Sequence, residues 1–210
     1  MIAPHERPIP GPTADFAAML AAELPVIETA RLRLRAPCLS DFDAWAEIFT
    51  GPASPHLGGP FDRDEAFTEF AATCGLWLLR GHGLWTVEPK AGGEVLGFVL
   101  IGFEPGDQVP ELGYLFRVAA EGQGYATEAA RALRDHAVGP MGLKTLVSYI
   151  DPKNPRSIRV AERLGAVRAG DFDGAQVWVH RGVAPKGVST RVETEARRDE
   201  DAIKTSKRGD

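Results

Sequence analysis

The sequence has few cysteines, no long apolar run and no cluster of basic residues, and each of these absences excludes a class of protein. Its 2 cysteines, Cys38 and Cys74, form no CxxC pair and stand near no histidine cluster, so neither a disulfide framework nor a metal site is expected. The longest apolar stretch, Val95 to Phe103, is much too short to span a bilayer. The N-terminus lacks the basic patch and apolar core of a secretory signal. We therefore expect a cytoplasmic protein with reduced thiols and no membrane partner.

The charge balance disfavours a nucleic-acid partner. The formal net charge is −5, and no predicted element carries a stripe of lysine and arginine that would neutralise phosphates. An acidic body is compatible with a cationic amine substrate, although charge alone does not specify one. With 44% hydrophobic and 25% charged residues, the 210-residue chain fits an ordinary globular protein of one domain with tails.

Composition divides the chain into an N-terminal extension (residues 1–27), a folded domain (residues 28–183) and a charged tail (residues 184–210). Residues 1–12 contain four prolines and are predicted to be unstructured. The alanine-rich segment from Ala14 to Leu24 is predicted to form a short helix, packed on the body or on a partner. The tail mixes both signs of charge with few large apolar residues, which is typical of a disordered extension.

Within the domain, apolar and alternating segments follow one another in an order that predicts a mixed α/β fold. Strands are predicted at Arg31–Arg35, Leu84–Glu88, Val95–Phe103, Glu111–Val118, Thr145–Ile150, Val167–Phe172 and Ala175–Arg181. Helices are predicted from a cap at Ser40 or Asp41 to Phe49, and at Asp64–Leu79, Tyr125–Ala137 and Pro155–Leu164. The segment Pro52–Pro60 is predicted to be a loop.

The junction from Glu111 to Leu133 carries the main functional signal. A predicted strand leads into the turn Gly122-Gln123-Gly124, and an alanine-rich helix begins at once, so backbone N–H groups and the positive end of a helix dipole meet there. Such a junction suits phosphate or pyrophosphate. It is not a dinucleotide fingerprint, because Thr127 stands where the third glycine belongs. The segment Gly142–Thr145 is no P-loop, since its glycine and lysine are not adjacent.

Three motifs, in their order and spacing, resemble the GNAT superfamily of acyl-CoA-dependent N-acetyltransferases, especially the branch that contains the ribosomal-protein alanine N-acetyltransferases. The motifs are Glu111-Leu112-Gly113-Tyr114, Gly122-Gln123-Gly124-Tyr125-Ala126-Thr127-Glu128-Ala129, and Asn154-Pro155-Arg156-Ser157 followed by Glu162-Arg163-Leu164-Gly165-Ala166. The resemblance covers roughly Leu32 to Arg181. It implies a mixed, mostly antiparallel sheet with helices on both faces and a splayed central strand pair. It also implies an N-acetyltransferase that uses acetyl-CoA as co-substrate.

The resemblance implies where the cofactor binds. Asn154 would hydrogen-bond the pantetheine arm, and Ser157 would bind beside it or protonate the departing thiolate. Both residues are equally natural at a helix start, where their side chains cap free N–H groups. Tyr149 is an alternative acid, although core packing explains it as well. The remaining implied contacts are the pyrophosphate with Gly122, Gln123, Gly124, Tyr125, Ala126 and Thr127, and the pantetheine arm with backbone near Phe116 and Val118.

Glu111 is the candidate general base and would act through a water molecule. An α-amine has a pKa near ~8 and a lysine amine near ~10.4, so a modest base suffices for a protein N-terminus or another weakly basic amine. The alternative interpretation is a solvated carboxylate at a strand end. By analogy, Pro52–Pro60 and the turn Asp171–Gly174 would wall the acceptor side, with Trp85 nearby. His56 would contact the substrate or simply be exposed.

One position departs from the family pattern. The phosphate turn of the family usually opens with Gln or Arg, whereas Glu121 stands here and would repel a pyrophosphate unless it were neutralised. The departure favours an alternative function, a catalytically silent acyl-CoA-binding sensor or interaction module. The sequence leaves open whether the acceptor is a peptide N-terminus or a small amine, and whether the protein is a monomer or a homodimer.

Overall fold

The computed structural model describes residues 3–180 as one eight-stranded sheet with helices packed on it. The last three residues of the predicted domain, 181–183, and the predicted tail, 184–210, lie outside the described residues. The helices are α1 (Pro12–Ala22), α2 (Phe42–Phe49), α3 (Arg63–Arg80), α4 (Tyr125–Val138) and α5 (Pro155–Arg163). The strands are β1 (Ile27–Glu28), β2 (Leu32–Arg35), β3 (Leu84–Pro89), β4 (Gly97–Gly102), β5 (Glu111–Phe116), β6 (Val147–Ile150), β7 (Val167–Phe172) and β8 (Ala175–Val179).

The sheet is mostly antiparallel, and its one parallel pair separates almost at once. The strand order is β1-β2-β3-β4-β5-β6-β8-β7. Strand β5 pairs with β4 along its whole length, from Glu111 opposite Gly102 to Phe116 opposite Gly97. With β6, by contrast, it is in parallel register only where Glu111 lies opposite Val147. The predicted mixed α/β fold with a splayed central strand pair is confirmed.

Helices cover both faces of the sheet because neighbouring residues of a strand point to opposite faces. Leu84 and Phe98 are buried with α2 and α3 on one face. Trp85 and Val99, each one residue further along its strand, are buried with α4 on the other. Helix α4 can lie close to the sheet because its buried face is built largely from small residues, namely Ala129, Ala130, Leu133 and Ala137.

The ends of the helices follow local sequence signals, with one exception. Helix α3 begins with a capping box between Asp62 and Glu65, which moves its start one residue before the predicted Asp64. A side-chain cap of α2 by Ser40 or Asp41 was expected, and this prediction is wrong, since α2 has no side-chain cap. The Asp41 carboxylate is buried and instead accepts hydrogen bonds from Arg35 at 2.7 and 2.8 Å and from the Thr86 hydroxyl at 2.8 Å. The same carboxylate accepts from the Cys38 N–H at 2.9 Å, so it caps the 3-10 turn Leu39–Asp41 that precedes α2 and not α2 itself.

The N-terminal extension is more ordered than its composition suggests. A 3-10 turn spans Pro4–Glu6, and the Glu6 carboxylate is buried against the Arg63 guanidinium at 2.7 and 3.0 Å. The expectation that residues 1–12 are unstructured is therefore wrong for this segment, because an ion pair with α3 fixes it. Helix α1 forms close to its predicted place, but none of its residues is buried. No helix among residues 3–180 combines the length and apolar character needed to cross a membrane.

A buried hydrogen-bonded chain fixes β6 against its neighbours. The Ser148 hydroxyl donates to the Leu112 carbonyl at 2.6 Å, so its oxygen accepts from Nε2 of His180 at 2.9 Å. Nδ1 of His180 is then a buried lone pair without a hydrogen-bond partner among the described residues. Protonating it would place a positive charge in the core. Burial, with a contribution from the nearby Arg134 guanidinium, accordingly lowers the pKa of His180 from 6.5 to about 4.

This histidine is expected to make folding stability depend on pH. The depressed pKa in the folded state means that His180 is neutral there, so its contribution is fully present above about pH 6.5 and is lost as the pH falls towards 4. The loss is at most about 3.5 kcal/mol, at about 1.4 kcal/mol per pKa unit. Urea unfolding between pH 4 and 8 should show a shallower pH dependence in His180→Gln than in the natural protein. Equal slopes for the two proteins would contradict this assignment.

Candidate active site

The separation of β5 and β6 opens a cleft of about 1750 Å³ on one side of the sheet. The end of β5 lies in it, with the turn before α4 and the first residues of α5 around it. The segment after α2, including Pro52, Ala53 and His56, lines it from another side. All the predicted cofactor-binding residues line this cleft, namely Phe116, Val118, Gly122, Gln123, Gly124, Tyr125, Ala126, Thr127, Asn154 and Ser157.

The turn before α4 has the geometry of an anion site. Gly122 and Gly124 have φ angles of 74° and 79°, in the left-handed region that residues with a Cβ rarely adopt. Gly124 is the N-cap residue of α4, and no side chain caps the helix. The first N–H groups of α4 therefore have no intrahelical acceptor, and Tyr125, Ala126 and Thr127 of this first turn line the cleft. A phosphate there would meet these groups and the positive end of the helix dipole.

An arginine from outside the motif holds this turn in place. The Arg31 guanidinium donates to the Glu128 carboxylate at 2.7 Å and to the Gln123 carbonyl at 3.1 Å, and its carbon lies 4.6 Å from the centroid of the Tyr125 ring. Burial raises the pKa of Glu128, but hydrogen bonds from Thr29 and Arg31 outweigh it and hold the pKa below its usual value. The carboxylate therefore stays charged and keeps the guanidinium beside the turn.

Sequence reasoning missed Thr29, Arg31 and Glu128 as parts of the site. Glu128 lies within the quoted glycine motif, but Arg31 and Glu128 are 97 residues apart, so only the fold brings them together. The available signal was a threonine just before the first predicted strand and an arginine as the first residue of that strand. It pointed to a strand and not to a phosphate turn.

Glu121, the departure from the family pattern, is neutralised by an arginine across the cleft. Nη1 of Arg156, in the first turn of α5, donates to both oxygens of the Glu121 carboxylate. The Arg156 side chain is 68% exposed, and the pair is therefore a weak one that solvent screens. The Glu121 carboxylate thus faces a cation in the free protein, and a phosphate group would compete with it for the same guanidinium.

Glu111 lies where β5 and β6 separate. Its carboxylate accepts a hydrogen bond from the backbone N–H of Tyr149 on β6 at 3.1 Å. Burial raises the pKa of Glu111 to about 8, and the nearby carboxylates of Glu104 and Asp107 add to the increase. The interpretation of Glu111 as a solvated carboxylate at a strand end is therefore wrong. Glu111 is not among the residues that line the cleft, whereas Tyr114, three residues further along β5, is.

The start of α5 forms the wall that faces β5. The Asn154 side chain accepts a hydrogen bond from the backbone N–H of Ser157 at 3.1 Å and therefore acts as the N-cap of α5. The Tyr114 hydroxyl donates to the backbone carbonyl of Ser157 at 2.9 Å and ties α5 to the strand. Burial raises the pKa of Tyr114, which therefore remains a hydrogen-bond donor. Both Asn154 and Ser157 line the cleft.

The expected acceptor side is only partly as predicted. Trp85 does not approach the cleft: it is 0% exposed, packs against Trp77 and donates to the Pro25 carbonyl at 2.8 Å. The expectation that Trp85 lies near the acceptor side of the cleft is therefore wrong, because its place on β3 turns it into the core. The segment Pro52–Pro60 contains a 3-10 turn, Ser54–Leu57, which carries His56 to the cleft. No group of residues within 3–180 could hold a metal ion.

Known proteins share this architecture. The chain matches the family described as the acetyltransferase (GNAT) domain over residues 31–167. It is 41% identical over 92 residues to the uncharacterized protein YkkB of Bacillus subtilis, a match of 41% of this chain and 52% of that protein. The chain thus spans about half the length of that relative.

Solved structures extend the likeness to nearly whole proteins. An acetyltransferase from Agrobacterium tumefaciens is 36% identical with a TM-score of 0.72, over 76% of this chain and 95% of that one. RimL, a ribosomal L7/L12 α-N-protein acetyltransferase solved with coenzyme A, is 19% identical with a TM-score of 0.60, over 77% of this chain and 100% of RimL. At that identity the likeness to RimL concerns the fold alone. The chain therefore belongs to the GNAT family of acetyltransferases, whose members use acetyl-CoA.

Proposed function

We propose that the protein transfers an acetyl group from acetyl-CoA to a primary amine by direct attack of the amine on the thioester. The observation that carries the proposal is the open cleft beside the separated strands, with an uncapped helix start and two left-handed glycines in its wall. The uncapped N–H groups would bind the pyrophosphate of the cofactor. Because they belong to the backbone, this binding does not depend on the type of side chain in the turn.

The pantetheine arm would lie along the free edge of β5. Beyond Glu111 the strand has no ladder partner in β6, so backbone groups towards Phe116 and Val118 are open to the cofactor. One N–H there would polarise the thioester carbonyl, as electrostatic stabilisation of the tetrahedral intermediate requires. Asn154 still has its amide NH₂ for the arm, because only its oxygen caps α5. Ser157 would bind the arm beside it or protonate the departing thiolate.

Glu111 is the proposed general base. A pKa of about 8 places its titration next to that of an α-amine, near ~8, and below that of a lysine amine, near ~10.4. Proton transfer is most effective between groups of matched pKa, so the site suits a protein N-terminus or another weakly basic amine. Because Glu111 does not line the cleft, a water molecule would carry the proton to it.

A catalytically silent acyl-CoA-binding module is the alternative. Its main support was the carboxylate of Glu121 beside the phosphate turn. The ion pair with Arg156 weakens that support, because the negative charge is balanced within the protein and the arginine remains accessible. Turnover measurements decide between the two functions, since both require acetyl-CoA to bind.

Loss of Arg31 is expected to weaken acetyl-CoA binding. In Arg31→Gln the turn loses its bonds to the guanidinium and the cofactor loses a nearby positive charge. Acetyl-CoA affinity, measured by titration calorimetry, should fall about 5- to 30-fold, which corresponds to about 1–2 kcal/mol. Arg33→Gln is the matched control, because Arg33, two residues further along on β2, has the same side-chain exposure and pairs with Glu88 instead. Unchanged affinity in Arg31→Gln would contradict the role of Arg31.

Loss of the Glu121 charge is expected to strengthen acetyl-CoA binding slightly. Replacing it by glutamine removes one negative charge and releases the Arg156 guanidinium for the cofactor phosphates. Because the pair is exposed, the gain in acetyl-CoA affinity should be small, about 2- to 5-fold, and should shrink as salt is added. Glu162→Gln, an exposed change on α5 away from the cleft, is the control and should bind as the natural protein does. Weaker binding by Glu121→Gln would show that Glu121 positions Arg156 instead of competing for it.

Loss of Glu111 is expected to slow the reaction and to change its pH dependence. The base must be deprotonated, so kcat/KM should rise with pH through about 8 in the natural protein. Glu111→Gln should lower kcat/KM about 10²- to 10⁴-fold, remove this limb and leave acetyl-CoA affinity unchanged. If the limb persists in the variant at an unchanged rate, it belongs to the amine substrate and Glu111 is not the base.

A further inference from the structure

A histidine and an aspartate meet beside the candidate active site without any role in the function proposed so far. Nδ1 of His56, in the 3-10 turn after α2, lies 2.6 Å from Oδ2 of Asp151, the first residue after β6. The two residues are 95 positions apart, and His56 lines the cleft. The contact therefore joins the acceptor-side segment to the end of the strand that separates from β5.

The surroundings of Asp151 fix the state of the histidine ring. The backbone N–H of Lys153 donates to the Asp151 carboxylate at 2.8 Å. This bond, together with the bond from His56, lowers the pKa of Asp151, which is therefore ionised at neutral pH. An ionised carboxylate on Nδ1 selects the tautomer that carries its proton there. In the neutral ring Nε2 is then a lone pair, and it has no hydrogen-bond partner among residues 3–180.

Acetyl transfer to an amine can use a group that accepts a proton in the cleft and gives it back. An ammonium ion must lose two protons to become an amide, and only one of them goes to solution. The other is removed from the attacking nitrogen while the departing thiolate gains one. Glu111 is suited to the proton that goes to solution. Its pKa is close to that of an α-amine, and it lies outside the cleft lining. A single group inside the cleft that accepts the second proton from nitrogen can return it to the sulfur over a short distance.

We propose that His56 is a proton shuttle for acetyl transfer and that Asp151 positions it, an inference that rests on the proposed function. The amine nitrogen forms a bond to the thioester carbonyl carbon, and Nε2 accepts the proton that leaves this nitrogen. The carbon–sulfur bond then breaks with its electron pair on sulfur, and the imidazolium returns the proton from Nε2 to the thiolate. The products are the amide and CoA with a free thiol, and His56 ends in its starting state.

The test combines truncation of the histidine with rescue by free imidazole. CoA thiol release is measured for the natural protein, His56→Ala, Asp151→Asn and the control His5→Ala, with a panel of peptides that carry free N-termini and with water as acceptor. His5 lies in the 3-10 turn Pro4–Glu6 of the N-terminal extension and is not among the residues that line the cleft. Calorimetry with acetyl-CoA is run on every variant. We expect kcat to fall about 10²- to 10⁴-fold in His56→Ala and at least about tenfold in Asp151→Asn, with acetyl-CoA affinity unchanged.

Rescue by imidazole distinguishes a catalytic role of His56 from a purely structural one. Added imidazole should restore a large part of kcat in His56→Ala and change nothing in His5→Ala, because a lost structural contact is not replaced by a small base in solution. If His56→Ala keeps its full rate, or loses it without recovery in imidazole, the shuttle is overturned and the transferase function stands. A natural protein that does not bind acetyl-CoA, or that binds it without releasing thiol to any acceptor, overturns the proposed function itself.

Discussion

The separation of β5 from β6 is the constraint on which the rest of the candidate site depends. Two strands that part leave backbone groups without ladder partners, and such groups cost free energy when buried unless something bonds them. Side chains of the two strands take over here: the Glu111 carboxylate accepts from the Tyr149 N–H, and the Ser148 hydroxyl donates to the Leu112 carbonyl. The same carboxylate that bridges the two strands where they part is therefore the proposed base, and its burial at this place raises its pKa to about 8.

Opposite charges are paired around the phosphate turn on both of its sides. Arg31 is held by Glu128 behind the turn, and Arg156 is held by Glu121 across the cleft. Each guanidinium is positioned in the free protein by a carboxylate of its own, at the expense of part of the positive potential that would attract a phosphate. The two pairs differ in burial. The Arg31 and Glu128 side chains are 49% and 20% exposed, and Glu128 accepts from Thr29 as well. The Arg156 and Glu121 side chains are 68% and 34% exposed, so the second pair is the one that exchanges more easily.

Local signals predicted most of the fold and a large part of the candidate site. The stretch from Tyr125 carried small residues at helical spacing, and α4 begins there; Asn154 and Gly165 marked the two ends of α5. All the predicted cofactor-binding residues line one cleft. They come from the glycine turn, the end of β5 and the start of α5, which are the parts of the chain that carry or adjoin the family motifs. Where prediction failed, a distant partner intervened. Asp41 bonds Arg35 and Thr86 instead of capping α2, and Glu6 is fixed by Arg63.

The sequence by itself determined the order of strands and helices, the glycine turn and the family, because these depend on periodicity, capping residues and turn residues that act over a few positions. Only the tertiary structure decided that Trp85 faces the core, that Arg31 holds the turn, that Arg156 neutralises Glu121 and that Asp151 orients His56. It also decided the ionisation of Glu111. Burial and charge pairing between residues tens of positions apart are set by how the sheet brings strands and helix ends together, and no local pattern encodes them.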